Sequence, residues 1–116
     1  MIRKQSEQNI AKKNLRNGHG EVIMPNLISG DAELLGKGRL LAHMTLLPGD
    51  SIGEHTHEGD GELFYILKGH PTYNDNGNWC TLEPGDFTVC YDGESHCIQN
   101  NTEEPVEFIA LILYSK

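Results

Sequence analysis

Residues Gly49 to Gly69 read GDSIGEHTHEGDGELFYILKG. One residue separates His55 from His57, and on an extended strand that spacing turns both imidazoles to the same face. The glycine-rich turn Gly59-Asp60-Gly61 follows, and Glu62 opens the next apolar run, placed to return a carboxylate oxygen to the same point. A third imidazole, His96, begins a later run just after the loop Asp92-Gly93-Glu94-Ser95. Three nitrogens and one carboxylate suit manganese, iron, cobalt, nickel, copper or zinc better than calcium or magnesium, which prefer oxygen. The expected cofactor is therefore one divalent transition metal per chain, held by His55, His57, Glu62 and His96. Four protein ligands on an octahedral ion leave two positions for water or substrate, whereas a closed tetrahedral site would be structural only.

Outward from this stretch, apolar residues recur in short, often alternating runs, and helical spacing is not sustained past residue 20. The runs predict strands at Glu21–Met24, Leu27–Ile28, Arg39–Leu47, Ser51–His55, Glu62–Lys68, Pro71–Asn74, Trp79–Leu82, Asp86–Cys90, His96–Asn100 and Val106–Tyr114. Turn signals separate them, among them Pro48-Gly49-Asp50, Pro84-Gly85-Asp86 and Asp92-Gly93. Asn76-Gly77 is the strongest, because both residues accept positive φ and fit a two-residue type I′ hairpin. Many short strands imply a sandwich or closed barrel, which disposes of exposed sheet edges. Val106–Tyr114 is apolar on both faces and is expected at the centre of a sheet or at a subunit interface.

The two histidine-bearing stretches together resemble the cupin family. Gly49, His55, His57, Glu62 and Gly69 match every fixed position of the first cupin motif, G-x5-H-x-H-x4-E-x6-G. Gly85 to Asn100, GDFTVCYDGESHCIQN, is similar to the second, G-x5-P-x-G-x2-H-x3-N, at Gly85, Gly93, His96 and Asn100, with Tyr91 in place of the proline. The resemblance implies an all-β double-stranded β-helix, or jelly-roll barrel, that commonly dimerises, with His55, His57, Glu62 and His96 as metal ligands. The implied organisation is an N-terminal arm over residues 1–20 and a cupin barrel over residues 21–116.

Two further residues are catalytic candidates. If the strands flanking Asp92–Ser95 pair as a hairpin, Tyr91 faces His96 and Cys90 faces Cys97, with both cysteines turned from the metal. Tyr91 would then offer a hydroxyl near the ion as proton donor or substrate anchor; the alternative is a rim tyrosine packed over the barrel mouth. His43 shares one side of its strand with Leu41, Thr45 and Leu47. If that side faces the lumen, His43 supports a ligand or acts as acid or base; otherwise it is a satisfied core histidine. Phe64 and Ile66 share the inward face of Glu62, and Tyr65 faces out.

Length and charge exclude several classes. A chain of 116 residues accommodates one domain. Its net charge of −8 argues against nucleic acid, which demands a basic face. No apolar run is long enough to span a bilayer, and MIRKQSEQNI has no signal-peptide core, so a cytoplasmic protein is expected. Charge is uneven: Arg3, Lys4, Lys12, Lys13 and Arg16 against Glu7 give residues 1–20 a net +4, leaving −12 on the rest. The arm reads as a solvated tail or a strand lent to a partner subunit in preference to an anion-binding element. Gln5–Leu15 could form a helical turn or two, although Asn9, Asn14 and Asn17 disfavour it. Cys80, Cys90 and Cys97 have no Cys-x-x-Cys spacing and are expected reduced.

Two functions follow from the ligand set. Three neutral imidazoles and one carboxylate leave a divalent ion at net +1, which favours an anionic chelate through two oxygens. The first function is thus a metalloenzyme acting on a small keto acid, enediol or sugar derivative, which the resemblance to cupins implies would be a dioxygenase, decarboxylase, isomerase or lyase. The second is a non-catalytic module that binds such a molecule. Either is expected to work as a homodimer, with a small molecule as its other partner.

Overall fold

Alternation with a two-residue period builds sheets, and the computed structural model, which describes residues 1–116, is made of ten strands. They are β1 (Asn9–Lys13), β2 (Val22–Asn26), β3 (Gly38–Leu46), β4 (Ser51–Thr56), β5 (Asp60–Lys68), β6 (Thr72–Asp75), β7 (Asn78–Thr81), β8 (Phe87–Cys90), β9 (Ser95–Gln99) and β10 (Val106–Tyr114). A six-stranded antiparallel sheet in the order β1-β2-β3-β10-β5-β8 packs against a four-stranded one in the order β4-β9-β6-β7. This is the jelly roll that the motifs implied. No helix is long and apolar enough to cross a membrane.

The core lies between the two sheets. Ala42, Met44 and Leu46 of β3, Phe64 and Ile66 of β5, and Val106, Phe108 and Ala110 of β10 face Ile52, Tyr73 and Ile98 from the smaller sheet. Each large side chain contributes roughly 1.5–3 kcal/mol on burial, and a one-residue slip would turn the whole set outward. β10 is central, hydrogen-bonded to β3 on one side and β5 on the other, as its two apolar faces require. Asn76 and Gly77 both take positive φ, 52° and 94°, and join β6 to β7 as a primed turn. Asn100 is fully buried: its Nδ2 donates to the carbonyls of Leu46 and Glu104, so this motif residue brackets two loops.

Three expectations change. Leu27 bends the chain out of β2, and no strand forms at Leu27–Ile28. Gln5–Leu15 is a 3₁₀ turn at Gln5–Glu7 followed by β1, which pairs antiparallel with β2 from Asn9↔Asn26 to Lys13↔Val22. The backbone groups at the edge of β2 offer an extended segment hydrogen bonds that a short asparagine-containing helix cannot match. Arg3 pins the start of this arm, donating to both Glu33 carboxylate oxygens at 2.6 and 2.8 Å and to the Leu27 carbonyl.

The third change is the hairpin at Asp92–Ser95. β8 pairs with β5 in the large sheet, whereas β9 pairs with β4 and β6 in the small one, so the connection crosses the sandwich. Tyr91 therefore does not face His96, nor Cys90 Cys97.

Candidate metal centre

His55 reaches the barrel interior through an irregularity. Ile52 pairs with Ile98 and His55 with His96, so β4 spends three residues where β9 spends two. This bulge at Gly53-Glu54 re-aims the strand and lets Ile52 and His55 both face inward. It also frees the backbone of Gly53, whose N–H donates to the Leu15 carbonyl and whose carbonyl lies 2.7 Å from His55 Nδ1. His57 lies just past β4, held by backbone hydrogen bonds with Glu94 and Gly93 of the crossing loop. Glu62 points inward from β5 and His96 from β9.

The four side chains converge. His96 Nε2 is 3.1 Å from His55 Nε2, 3.2 Å from His57 Nε2 and 3.1 Å from Glu62 Oε1. His57 Nε2 is 3.2 Å and His55 Nε2 3.9 Å from the same carboxylate oxygen. The donor atoms all lie within 4.8 Å of one another. Neighbouring donors on a transition ion with bonds of roughly 2.0–2.2 Å sit roughly 3 Å apart, so the spacing fits one ion.

The outer ring nitrogens strengthen that fit. Asp60 Oδ1 lies 2.7 Å from His57 Nδ1, the Gly53 carbonyl 2.7 Å from His55 Nδ1, and Tyr73 Oη 2.7 Å from His96 Nδ1. A carboxylate and a carbonyl can only accept, so the rings of His55 and His57 carry their protons on Nδ1 and turn Nε2 lone pairs toward the cluster. Two imidazoles so oriented, with His96 and a carboxylate beside them, form a donor set that a cation completes. Burial pushes the Glu62 carboxyl up, but the three histidine rings that meet it outweigh burial and hold the group well below the carboxylate range. The hydrogen bond to Glu62, with help from Asp60, raises His57, whereas burial lowers His96. Asp60 in turn accepts from Arg39 Nε at 2.9 Å.

A cavity of about 330 Å³ ends on His55, His57 and Glu62. Its apolar wall includes Met24, Leu40, Met44, Ile52 and Ile112, and its polar wall is Lys13, Arg16, Arg39 and Asn26. The only carboxylate lining it is Glu62.

Neither catalytic candidate meets this cavity. Tyr91 is 66% exposed and lines a separate hollow on the outside of the large sheet with Leu63, Val89 and Leu113. Its inward neighbour is Cys90, opposite Glu62, where burial pushes the thiol up to about 12. His43 lies on the outer face of β3, 2.9 Å from Glu107, because Ala42, Met44 and Leu46 occupy the core side and a part-exposed polar pair keeps to water. The candidates missed from sequence are Asp60, Tyr73, Arg39, Lys13 and Arg16. Asp60 carried a signal, a carboxylate three residues beyond His57; Tyr73 carried none, since only sheet pairing brings β6 beside β9.

Comparison with known proteins agrees with this geometry. The family described as Cupin domain (Cupin_2) matches residues 42–112. An oxalate-binding protein of Thermotoga maritima is 44% identical over 100 residues, covering 86% of this chain and 82% of that one. The crystal structure of a predicted oxalate decarboxylase from Thermotoga maritima superposes with a TM-score of 0.91 at 40% identity, covering 98% of this chain and 99% of that one. The cupin domain of Schizosaccharomyces pombe Cnp3, 14% identical, shares the fold with a TM-score of 0.71 over 89% of this chain and 65% of that one. A family match across the barrel, a near-complete superposition and a converging His₃Glu cluster place this chain in the cupin family.

Proposed function

We propose that this cupin binds one divalent transition metal through His55, His57, Glu62 and His96 and uses it to hold a small carboxylate, of which oxalate is the model. One observation carries the reading: in a chain of net charge −8, the cavity that ends on the ligand cluster is lined by three cations and by no acid except Glu62. The bound ion supplies a Lewis-acidic centre of net charge +1 once Glu62 is counted. Arg39 and Asp60 steady His57, and Tyr73 steadies His96. The name of the Thermotoga maritima oxalate-binding relative supports this ligand class.

Binding is favoured over proton-transfer chemistry because Tyr91 and His43 lie outside the cavity and its one carboxylate is committed to the cluster. Decarboxylation, in which oxalate takes up a proton and leaves as formate and carbon dioxide, is the second reading, drawn from the relative described as a predicted decarboxylase. The chain works as a homodimer, supported by the exposed Tyr65, Leu67 and Phe87 on the outer face of β5 and β8. A reducing, cytoplasmic setting accords with three unpaired cysteines.

The test is metal analysis followed by calorimetry. Protein purified without added metal should carry close to one transition ion per chain, lose it in the His55→Ala/His57→Ala variant, and bind oxalate only when loaded. Retention of the ion by that variant refutes the site. Oxalate binding without formate release favours the module over the enzyme.

A further inference from the structure

Two of the three cations that wall the cavity come from the N-terminal arm, which nothing in the cupin motifs includes. Lys13 ends β1 and Arg16 follows it, and both line the cavity that His55, His57 and Glu62 close. Arg3 and Arg39 are committed to Glu33 and Asp60, but Lys13 and Arg16 make no side-chain hydrogen bond or ion pair. Their guanidinium and ammonium groups are free to meet a ligand.

The backbone that carries them is held firmly. Leu15 accepts from the N–H groups of Gly53 and Gly18, Asn14 Nδ2 donates to the carbonyls of Gly18 and Gly20, and the His19 N–H donates to Ser51 Oγ. Arg16 and Asn17 both have positive φ, 55° and 56°, which asparagine tolerates and arginine adopts unwillingly. The approach is so close that a Cβ on Gly53 would collide with the Arg16 carbonyl. The arm is therefore built against the strand that supplies His55.

Charge then decides what this wall is for. A divalent ion with Glu62 has net charge +1, which one carboxylate neutralises. A dicarboxylate leaves a surplus negative charge inside a cavity half walled by apolar side chains, where an unmet charge is costly. We infer that Arg16, assisted by Lys13, determines specificity by meeting that second charge, so that the site selects dianionic over monoanionic carboxylates. This rests on the metal-and-carboxylate reading above and names the ligand class within it.

The experiment uses the full chain loaded with manganese, with oxalate and acetate as probes in calorimetric titrations. Arg16→Gln should weaken oxalate by about tenfold, and Lys13→Gln/Arg16→Gln by up to about a hundredfold, the scale of lost charge-assisted hydrogen bonds. Acetate affinity should change by less than about threefold, and metal content should stay at the wild-type value. Arg16→Lys should recover part of the loss, having the charge without the planar fork. Unchanged oxalate affinity in the double variant, or equal losses for both anions, overturns the inference while the binding reading stands. Failure of metal-loaded wild type to bind oxalate overturns both.

Discussion

Replacing Tyr73 by phenylalanine removes one oxygen from a fully buried ring and leaves its packing against Phe64, at 6.1 Å between centroids, in place. The lost atom sits 2.7 Å from His96 Nδ1. With Nε2 committed to an ion, His96 must keep its proton on Nδ1, and in the variant that buried donor has no acceptor. An unsatisfied buried donor costs about 1–3 kcal/mol, and loss of such a supporting partner typically weakens metal affinity by about 10–100-fold. The metal-free protein escapes most of this cost, because the proton can move to Nε2, where Glu62 Oε1 accepts it at 3.1 Å. The penalty thus falls on the loaded state. Chelator competition should show metal affinity reduced by about 10–100-fold, while thermal unfolding of the metal-free variant shifts by much less. Affinity within about twofold of wild type, or a metal-free protein destabilised as strongly as the loaded one, would refute the assignment of Tyr73 as the acceptor that orients His96.

Metal affinity should also depend on pH through His57. Its raised pKa means that the His57–Glu62 pair contributes stability fully below the ordinary histidine value and loses it as pH climbs through the raised one. The ion needs the unprotonated ring, so affinity should rise with pH across that window, with proton release on binding detectable in buffers of different ionisation enthalpy; pH-independent affinity would count against it. Gly53→Ala should destabilise the fold by about 1–3 kcal/mol, because the new methyl group must displace the Leu15–Gly18 turn. It should weaken oxalate binding at the same time, by shifting Arg16; a variant of wild-type stability measured by denaturant midpoint would contradict the close packing described.

What the sequence determined by itself was local. The direction of a side chain along a strand follows from parity, so His55 and His57 could be paired from their spacing, and Phe64 and Ile66 assigned to the side of Glu62. Positive φ is a property of single residues, which made Asn76-Gly77 readable as a turn, and the two apolar faces of Val106–Tyr114 announced a central strand. The tertiary structure decided what depends on partners. Parity says that Ala42, Met44 and Leu46 oppose Leu41, His43 and Thr45, but only packing chose which set is buried. One extra residue at Gly53-Glu54 brought Ile52 and His55 to the same face. β8 and β9 are close neighbours in the chain yet belong to different sheets, which sent Tyr91 outward and Cys90 inward. Asp60, Tyr73 and Arg16 act across sheet and loop contacts whose register no single strand encodes, so the atoms that orient the ligands and wall the cavity came into view only with the fold.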